Sequence, residues 1–200
     1  MSLASDRGEL KRLLAVRSVR RGDFKLASGL TSKVYVDAKL TTLYAVAMPL
    51  VGRLFLDKIR RSQWKPRAIG GLVLGADPIV TAVARESVEE GAPIDAFLVR
   101  KDAKKHGLEK FIEGVNEPAG LAVVIVDDVC TTGGSTVEAI EKARSAGMVV
   151  LGAICLVDRE DGAEDRLIKL GCPFDRVFRL TELLEACESG ALVGAQTSDI

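Results

Sequence analysis

The chain has 200 residues, 48% of them apolar and 28% charged, with a formal net charge of zero. That suits one globular domain with a real core and offers no basic surface for nucleic acid. The apolar run around 149–157 is too short to span a bilayer, and 1–21 alternates charges with leucines without a signal-peptide core, so a cytoplasmic protein with no membrane partner is expected.

The first expected helix covers about 5–18, with Leu10, Leu13, Leu14 and Arg17 at helical spacing. Arg20-Arg21-Gly22-Asp23 breaks it. Phe24 to Asp37 then alternates apolar and polar residues around Ser28-Gly29, the pattern of a short hairpin. Leu43, Val46, Ala47, Leu50, Val51 and Leu54 mark the apolar face of a helix reaching about Arg60, which Pro49 either kinks or delays. Strands are then expected at 68–74, 94–99, 121–126 and 149–157, with a further short one at 177–180. Helices are expected at 78–90, 135–146 and 163–170, and a last one N-capped by Thr181 and ending near Gly190. The tail 194–200 is polar. Strands alternating with helices imply an α/β fold: a mostly parallel sheet covered on both faces, whose ligands gather beyond the carboxyl ends of the strands.

The most informative stretch is Val123 to Thr136. Four β-branched residues read as a strand buried on both faces, and Asp127-Asp128 stand where it is expected to end. Thr131, Thr132, Gly133, Gly134 and Ser135 follow, then a helical pattern. A strand, a tight polar turn and a helix N-terminus make an anion site, because first-turn N–H groups lack partners and the helix dipole favours negative charge. Carboxylates repel phosphate, so the acids should face sugar hydroxyls or a metal ion. A lone Asp128 or Thr132 would more often be an ordinary N-cap, but the whole string points past that reading. It is neither a Walker A loop nor a Rossmann fingerprint.

Arg100, Lys101, Lys104, Lys105 and His106 open a second stretch that runs to Pro118 with few apolar anchors. Such a basic loop is often only solvated, yet a long loop without secondary structure is frequently functional. The cysteines Cys130, Cys155, Cys172 and Cys187 have no Cys-x-x-Cys spacing, and with a single histidine this argues against a structural zinc site or a disulfide framework. Cys155 reads as a buried small hydrophobe, and packing is also the expected role of Cys130.

Residues 123–136 resemble the phosphoribosyl diphosphate motif of type I phosphoribosyltransferases. Arg100-Lys101-x-Ala103-Lys104-x-His106-Gly107, continuing to Ile112-Glu113-Gly114, is similar to the mobile loop of the orotate phosphoribosyltransferase family. Phe24-x-Leu26-x-Ser28-Gly29-x-x-Ser32-x-x-Tyr35-x-Asp37 looks like that family's hood over the base. Gly71 to Pro78 looks like its diphosphate-contacting loop, and Asp158-Arg159-Glu160 like the turn that supplies an arginine to orotate. Each segment has a plainer reading: Asp77-Pro78 as N-cap and first-turn proline, Arg159 as a surface ion pair. Two positions depart from the pattern of some members, Ala27 and Gly75 standing where those carry lysine.

The resemblance implies a single phosphoribosyltransferase domain over 1–200, with a small N-terminal hood (about 1–40), a core (about 41–190) and a loose tail. It implies transfer of phosphoribose from phosphoribosyl diphosphate to orotate, with Mg²⁺ carried on the diphosphate and no metal ligand directly assigned. Phosphoribosyl diphosphate is expected on Arg100, Lys101, Lys104, His106, Asp127, Asp128, Val129, Cys130, Thr131, Thr132, Gly133, Gly134 and Ser135. Lys104, Asp127 and Asp128 are the catalytic candidates, and Thr131 and Arg159 are expected to hold orotate. A homodimer sharing residues 100–114 across its interface is also implied. The alternatives are a phosphoribosyltransferase for a purine or uracil, and a non-catalytic regulator that binds phosphoribosyl diphosphate.

Overall fold

A computed structural model describes residues 2–25, 31–102 and 111–188. Helix α1 (Leu3–Arg17) is capped by Ser2, whose side chain accepts from the Ser5 amide. It buries Leu10, Leu13 and Leu14. Strands β1 (Val19–Lys25) and β2 (Thr31–Val36) then pair antiparallel as a two-stranded sheet of their own. The helix ends before Arg20-Arg21-Gly22-Asp23 as expected, but that segment belongs to β1, so the hairpin starts at Val19, not Phe24. The register shifts between Arg21 and Phe24, so Gly22 and Asp23 sit in an irregularity of the strand. A bulge tolerates these residues where a regular strand does not, and composition alone cannot distinguish it from a break. The turn around Ser28-Gly29 lies outside the described residues.

A short α2 (Lys39–Thr42) precedes α3 (Met48–Arg61). Pro49 occupies the first turn of α3, where its missing N–H would have had no helical partner, so it delays the helix rather than kinking it. Leu43 and Val46, expected on the apolar face, are exposed.

The remaining elements alternate: β3 (Ala68–Leu72), α4 (Asp77–Glu89), β4 (Asp95–Val99), β5 (Ile112–Glu113), β6 (Ala122–Cys130), α5 (Gly134–Ser145), β7 (Val149–Asp158), α6 (Ala163–Lys169), β8 (Phe174–Arg179) and α7 (Leu180–Glu188). Six strands form one sheet in the order β5-β4-β3-β6-β7-β8. All pairings are parallel except that of β5 with β4. The stretch 100–118, expected to lack secondary structure, thus contributes an edge strand at Ile112–Glu113. Thr181 lies inside α7 and is not its cap. Instead the Glu182 carboxylate accepts from the Arg179 amide at 3.0 Å, half of a capping box.

The sheet is buried on both faces. Val124, Val126, Ile154 and Leu156 point into a cluster completed by α1, α3, α4 and α7. Val123, Ile125 and Ala153 point the other way, onto Val137, Ile140 and Ala143 of α5 and Leu167 of α6. This two-sided packing is what the uninterrupted β-branched run requires. From β3 the chain steps to β4 on one side, then returns to place β6 on the other. The carboxyl ends of β3 and β6 therefore flank a topological switch point, where open α/β sheets bind their ligands.

Candidate active site

β6 does not end at the acidic pair. It continues to Cys130, with Asp127 opposite Cys155, Val129 opposite Val157 and Cys130 opposite Asp158. Pairing with β7 overrides the weak strand propensity of aspartate. Successive residues of a strand face opposite sides, so the two carboxylates enter different surroundings. Asp127 is turned inward and buried. Its Oδ2 accepts from Ser135 Oγ at 2.6 Å and Thr136 Oγ1 at 2.8 Å, and its Oδ1 from the Asp128 amide at 3.0 Å. Burial raises its pKa to about 6, helped by the charge of Asp128 and opposed by the two hydroxyls and the amide. Asp128 is less enclosed. Its Oδ1 accepts from the Val129 amide at 2.8 Å, and its Oδ2 lies 3.7 Å from Lys39 Nζ.

The turn after β6 reaches α5 through Gly133, which adopts a left-handed conformation (φ 74°) and is the helix N-cap without any side-chain cap. Neither Asp128 nor Thr132 caps this helix. The first turn of α5 therefore carries amides that helix geometry leaves without partners. Behind the turn stands α6: a β-carbon on Gly133 would lie 3.4 Å from Ala163, and Arg166 donates to the Thr132 carbonyl at 3.4 Å. Cys130 is buried with its Sγ 3.0 Å from Thr136 Oγ1. Cys155 is buried beside it, and burial pushes that thiol well above its ordinary value. Both cysteines pack, as their setting in the sequence suggested.

Across the switch point, Val73, Leu74 and Gly75 lead from β3 into α4, and the Val73–Leu74 peptide is cis. Asp77 is the first residue of α4. The N-cap is Ala76, so the plainer reading of Asp77 as the cap does not hold. Its buried Oδ1 has no hydrogen-bond partner, and burial raises its pKa. A cavity of about 450 Å³ opens here, lined by Asp77, Leu98, Arg100, Lys101, Asp102 and Glu113 among others. Arg100 and Lys101 are thus brought to the same end of the sheet as the acidic pair.

Arg159 follows β7, and its amide donates to the Cys130 carbonyl at 2.8 Å. Its side chain is only 6% exposed, so the plainer reading of a surface ion pair does not describe it. The guanidinium donates to Val34 O at 3.2 Å and Ser32 Oγ at 3.0 Å, both on β2, and reaches Asp161 at 3.5 Å. It ties the end of the sheet to the hairpin.

The phosphoribosyl transferase domain model matches residues 43–172. The orotate phosphoribosyltransferase of Nostoc sp. is 41% identical over 177 residues, covering 88% of this chain and 84% of that protein. That of Aquifex aeolicus is 40% identical over 185 residues, covering 91% of this chain and all of that protein. The chain belongs to the orotate phosphoribosyltransferase family. Among solved structures, Mycobacterium tuberculosis orotate phosphoribosyltransferase in complex with 5-phospho-α-D-ribosyl 1-diphosphate is 36% identical, with a TM-score of 0.74, over 89% of this chain and 98% of that one.

Asp127, Asp128, Val129, Cys130 and the 131–135 turn form one continuous element, with Arg100 and Lys101 on one side and Arg159 on the other. Lys104 and His106 lie outside the described residues, as does Ala27. Two neighbours of the site escaped the sequence reading. Lys39 bridges Asp37 at 3.0 Å and approaches Asp128. Burial disfavours its charge, but the hydrogen bond to Asp37 and the charge of Asp128 outweigh that and raise its pKa. Ser32 is the second, as a partner of Arg159. The available signals were Asp37-x-Lys39 and the serine of the hairpin motif. Among the described residues no group of three or more His, Cys, Asp or Glu side chains is arranged to hold a metal ion.

Proposed function

We infer that the chain transfers the 5-phosphoribosyl group from phosphoribosyl diphosphate to orotate, giving orotidine 5′-monophosphate and diphosphate in pyrimidine (UMP) biosynthesis. The observation that carries this reading is the element at the end of β6, where an acidic pair runs into an uncapped helix N-terminus at the switch point. The relatives named for this activity support it, since they align over nearly the whole chain.

In this reading the amides and hydroxyls of residues 131–135 take the 5′-phosphate. Asp128, the more accessible acid, accepts from the ribose hydroxyls. Asp127 serves the same sugar while fixing Ser135 and Thr136. The anomeric C–O bond breaks with its electron pair leaving on diphosphate, and orotate N1 forms the new C–N bond. The ring gains oxocarbenium character, which nearby carboxylates favour, as in glycoside hydrolysis. Negative charge grows on the diphosphate, and Arg100, Lys101, Lys104 and His106 are assigned to stabilise it, Lys104 foremost. Thr131 and Arg159 hold orotate, Arg159 through the planar fork of donors that suits a carboxylate.

Mg²⁺ is proposed to ride on the diphosphate and neutralise its oxygens. Asp77 lines the cavity beside Arg100, and a turn of its carboxylate, whose Oδ1 is buried without a partner, would bring it to the ion's hydration shell. A homodimer sharing residues 100–114 between neighbouring sites is proposed from the family resemblance. No described helix is long and apolar enough to cross a membrane, and a cytoplasmic location is proposed.

The test follows orotate absorbance with phosphoribosyl diphosphate, with and without Mg²⁺, using adenine, hypoxanthine and uracil as controls. Orotate-specific, Mg²⁺-dependent turnover is expected. Turnover of another base instead would reassign the substrate, and binding of phosphoribosyl diphosphate without turnover of any base would favour a regulator.

A further inference from the structure

Lys142 lies on α5, two turns beyond the phosphate-binding turn, and belongs to none of the motifs above. Its side chain is 17% exposed. An ammonium group has three hydrogens, and here each finds an acceptor. One goes to the Arg100 carbonyl at 2.9 Å, one to the Lys101 carbonyl at 2.6 Å and one to the Glu138 carboxylate. The same Nζ stands 4.6 Å from the centre of the Phe111 ring, within cation–π range. Arg100 and Phe111 are themselves joined, the Arg100 amide donating to the Phe111 carbonyl at 2.8 Å. This bond continues the β4–β5 ladder, in which Val99 faces Ile112 and Leu98 faces Glu113.

A helix-surface pair of Glu138 with Lys142 at i,i+4 would be worth only a few tenths of a kcal/mol and would concern α5 alone. The two carbonyls are a different matter. They come from chain 42 and 41 residues away, and they belong to the two residues whose side chains line the cavity at the diphosphate end. Without such a bond, a carbonyl on that stem is satisfied as well by water. Lys142 thereby links the helix that carries the 5′-phosphate turn to the strand end that carries Arg100 and Lys101. The two charged poles of phosphoribosyl diphosphate are a fixed distance apart, set by one sugar ring. A site that grips both needs its two gripping elements held at that spacing.

We propose that Lys142 is a positioning residue, which holds the backbone of Arg100 and Lys101 at the height that places their side chains on the diphosphate. This rests on the reading of residues 131–135 and of Arg100 and Lys101 as the two poles of one substrate. Lys142 touches neither pole itself. Glu138 balances its charge, so the cluster adds no net cation to the stem.

The test separates the poles. Lys142→Met keeps an unbranched stem and removes the donors; Lys142→Arg keeps a charge able to reach both carbonyls. Binding of ribose 5-phosphate and of diphosphate is measured by calorimetry on the full-length proteins, alongside KM, kcat and Tm. For Lys142→Met, diphosphate binding is expected to weaken about tenfold or more, the scale of lost charged hydrogen bonds, with KM for phosphoribosyl diphosphate rising in step. Ribose 5-phosphate binding is expected to change less than about twofold on the same scale, because α5 and its turn are untouched. Lys142→Arg is expected to restore most of the diphosphate affinity. Equal weakening of both ligands, or unchanged diphosphate binding, would overturn the proposal. If Lys142→Met does not fold, Lys142→Gln, which keeps a polar side chain but loses the ammonium, decides instead: a loss confined to diphosphate supports positioning, and loss of both ligands or of neither rejects it. Wild-type protein that binds neither ligand would instead overturn the underlying reading of the site.

Discussion

Gly75 and Asp128 are packed so closely that a β-carbon on residue 75 would stand 2.5 Å from Asp128 Oδ1. The loop leaving β3 is thus fitted against the acidic pair on β6. That gives a physical meaning to one departure from the family pattern, since a side chain at residue 75 fits only if Asp128 moves. The clash would fall on a carboxylate, not on backbone, so Asp128 can rotate away. Gly75→Ala is therefore expected to change stability by less than about 1 kcal/mol, as for most substitutions that spare the core. It is expected to lower kcat/KM by roughly tenfold to a hundredfold, because Asp128 leaves the position from which it is proposed to meet the ribose. Urea unfolding and steady-state kinetics on one preparation check both halves. Unchanged kinetics would mean that the position of Asp128 is immaterial.

Asp127 predicts a pH dependence of stability. Its folded pKa is about 6 against an ordinary value of 3.8. The folded state therefore holds this proton more tightly than the unfolded chain. The associated stability is fully present below about pH 4 and is lost as pH rises through about 6, a decline on the order of 3 kcal/mol. Asp127→Asn removes the titration. Relative to wild type, the variant should gain stability steadily from about pH 4 to pH 7, and its unfolding free energy should be flatter over that window. Urea denaturation at a series of pH values measures this, and parallel curves for the two proteins would rule it out.

What was legible in the sequence was what is contiguous in it. The 123–136 string, the alternation that builds the sheet and the basic residues after β4 all announce themselves within one segment. Asp128 against Gly75, Lys39 near Asp128, and Arg159 against Ser32 and Val34 are meetings of segments far apart along the chain, which no local period records. Local rules also failed where tertiary pairing overrode them. Gly22 and Asp23 follow the end of the helix as expected, but they lie within β1 and not in a turn before the hairpin, because a bulge has the composition of a turn. The acidic pair looked like a strand end because aspartate is a poor strand residue, yet β7 holds β6 paired as far as Cys130. Thr181 looked like a cap, but the preceding strand runs straight into the helix.

Lys104 is assigned to the leaving group by resemblance. Lys104→Ala should slow turnover more than a hundredfold, roughly 3 kcal/mol, the scale of losing one transition-state donor. If residues 100–114 serve a neighbouring subunit, mixing this variant with one disabled at Asp127 and Asp128 should recover activity, because some mixed dimers then contain one intact site. A near-normal rate for the single variant would remove Lys104 from its role, and no recovery on mixing would argue for self-contained sites.

Arg159 offers the sharpest separation of base from sugar phosphate. Its guanidinium already donates to Ser32 Oγ and Val34 O, while Ser32 Oγ also donates to Val34 O at 2.8 Å. The planar fork is therefore oriented by β2, and donors remain for an orotate carboxylate or carbonyl. A lysine cannot hold both β2 acceptors and a ligand in one plane, so Arg159→Lys should raise KM for orotate by about tenfold or more. Ser32→Ala leaves the charge but loosens the plane, and its effect should be smaller and in the same direction. Neither change touches the phosphate turn, so phosphoribosyl diphosphate binding should stay within about twofold of wild type, less than half a kcal/mol. The measurement is KM for each substrate at saturating levels of the other. If Arg159→Lys weakens phosphoribosyl diphosphate as much as orotate, the guanidinium acts by holding the hairpin in place, and its assignment to the base is wrong.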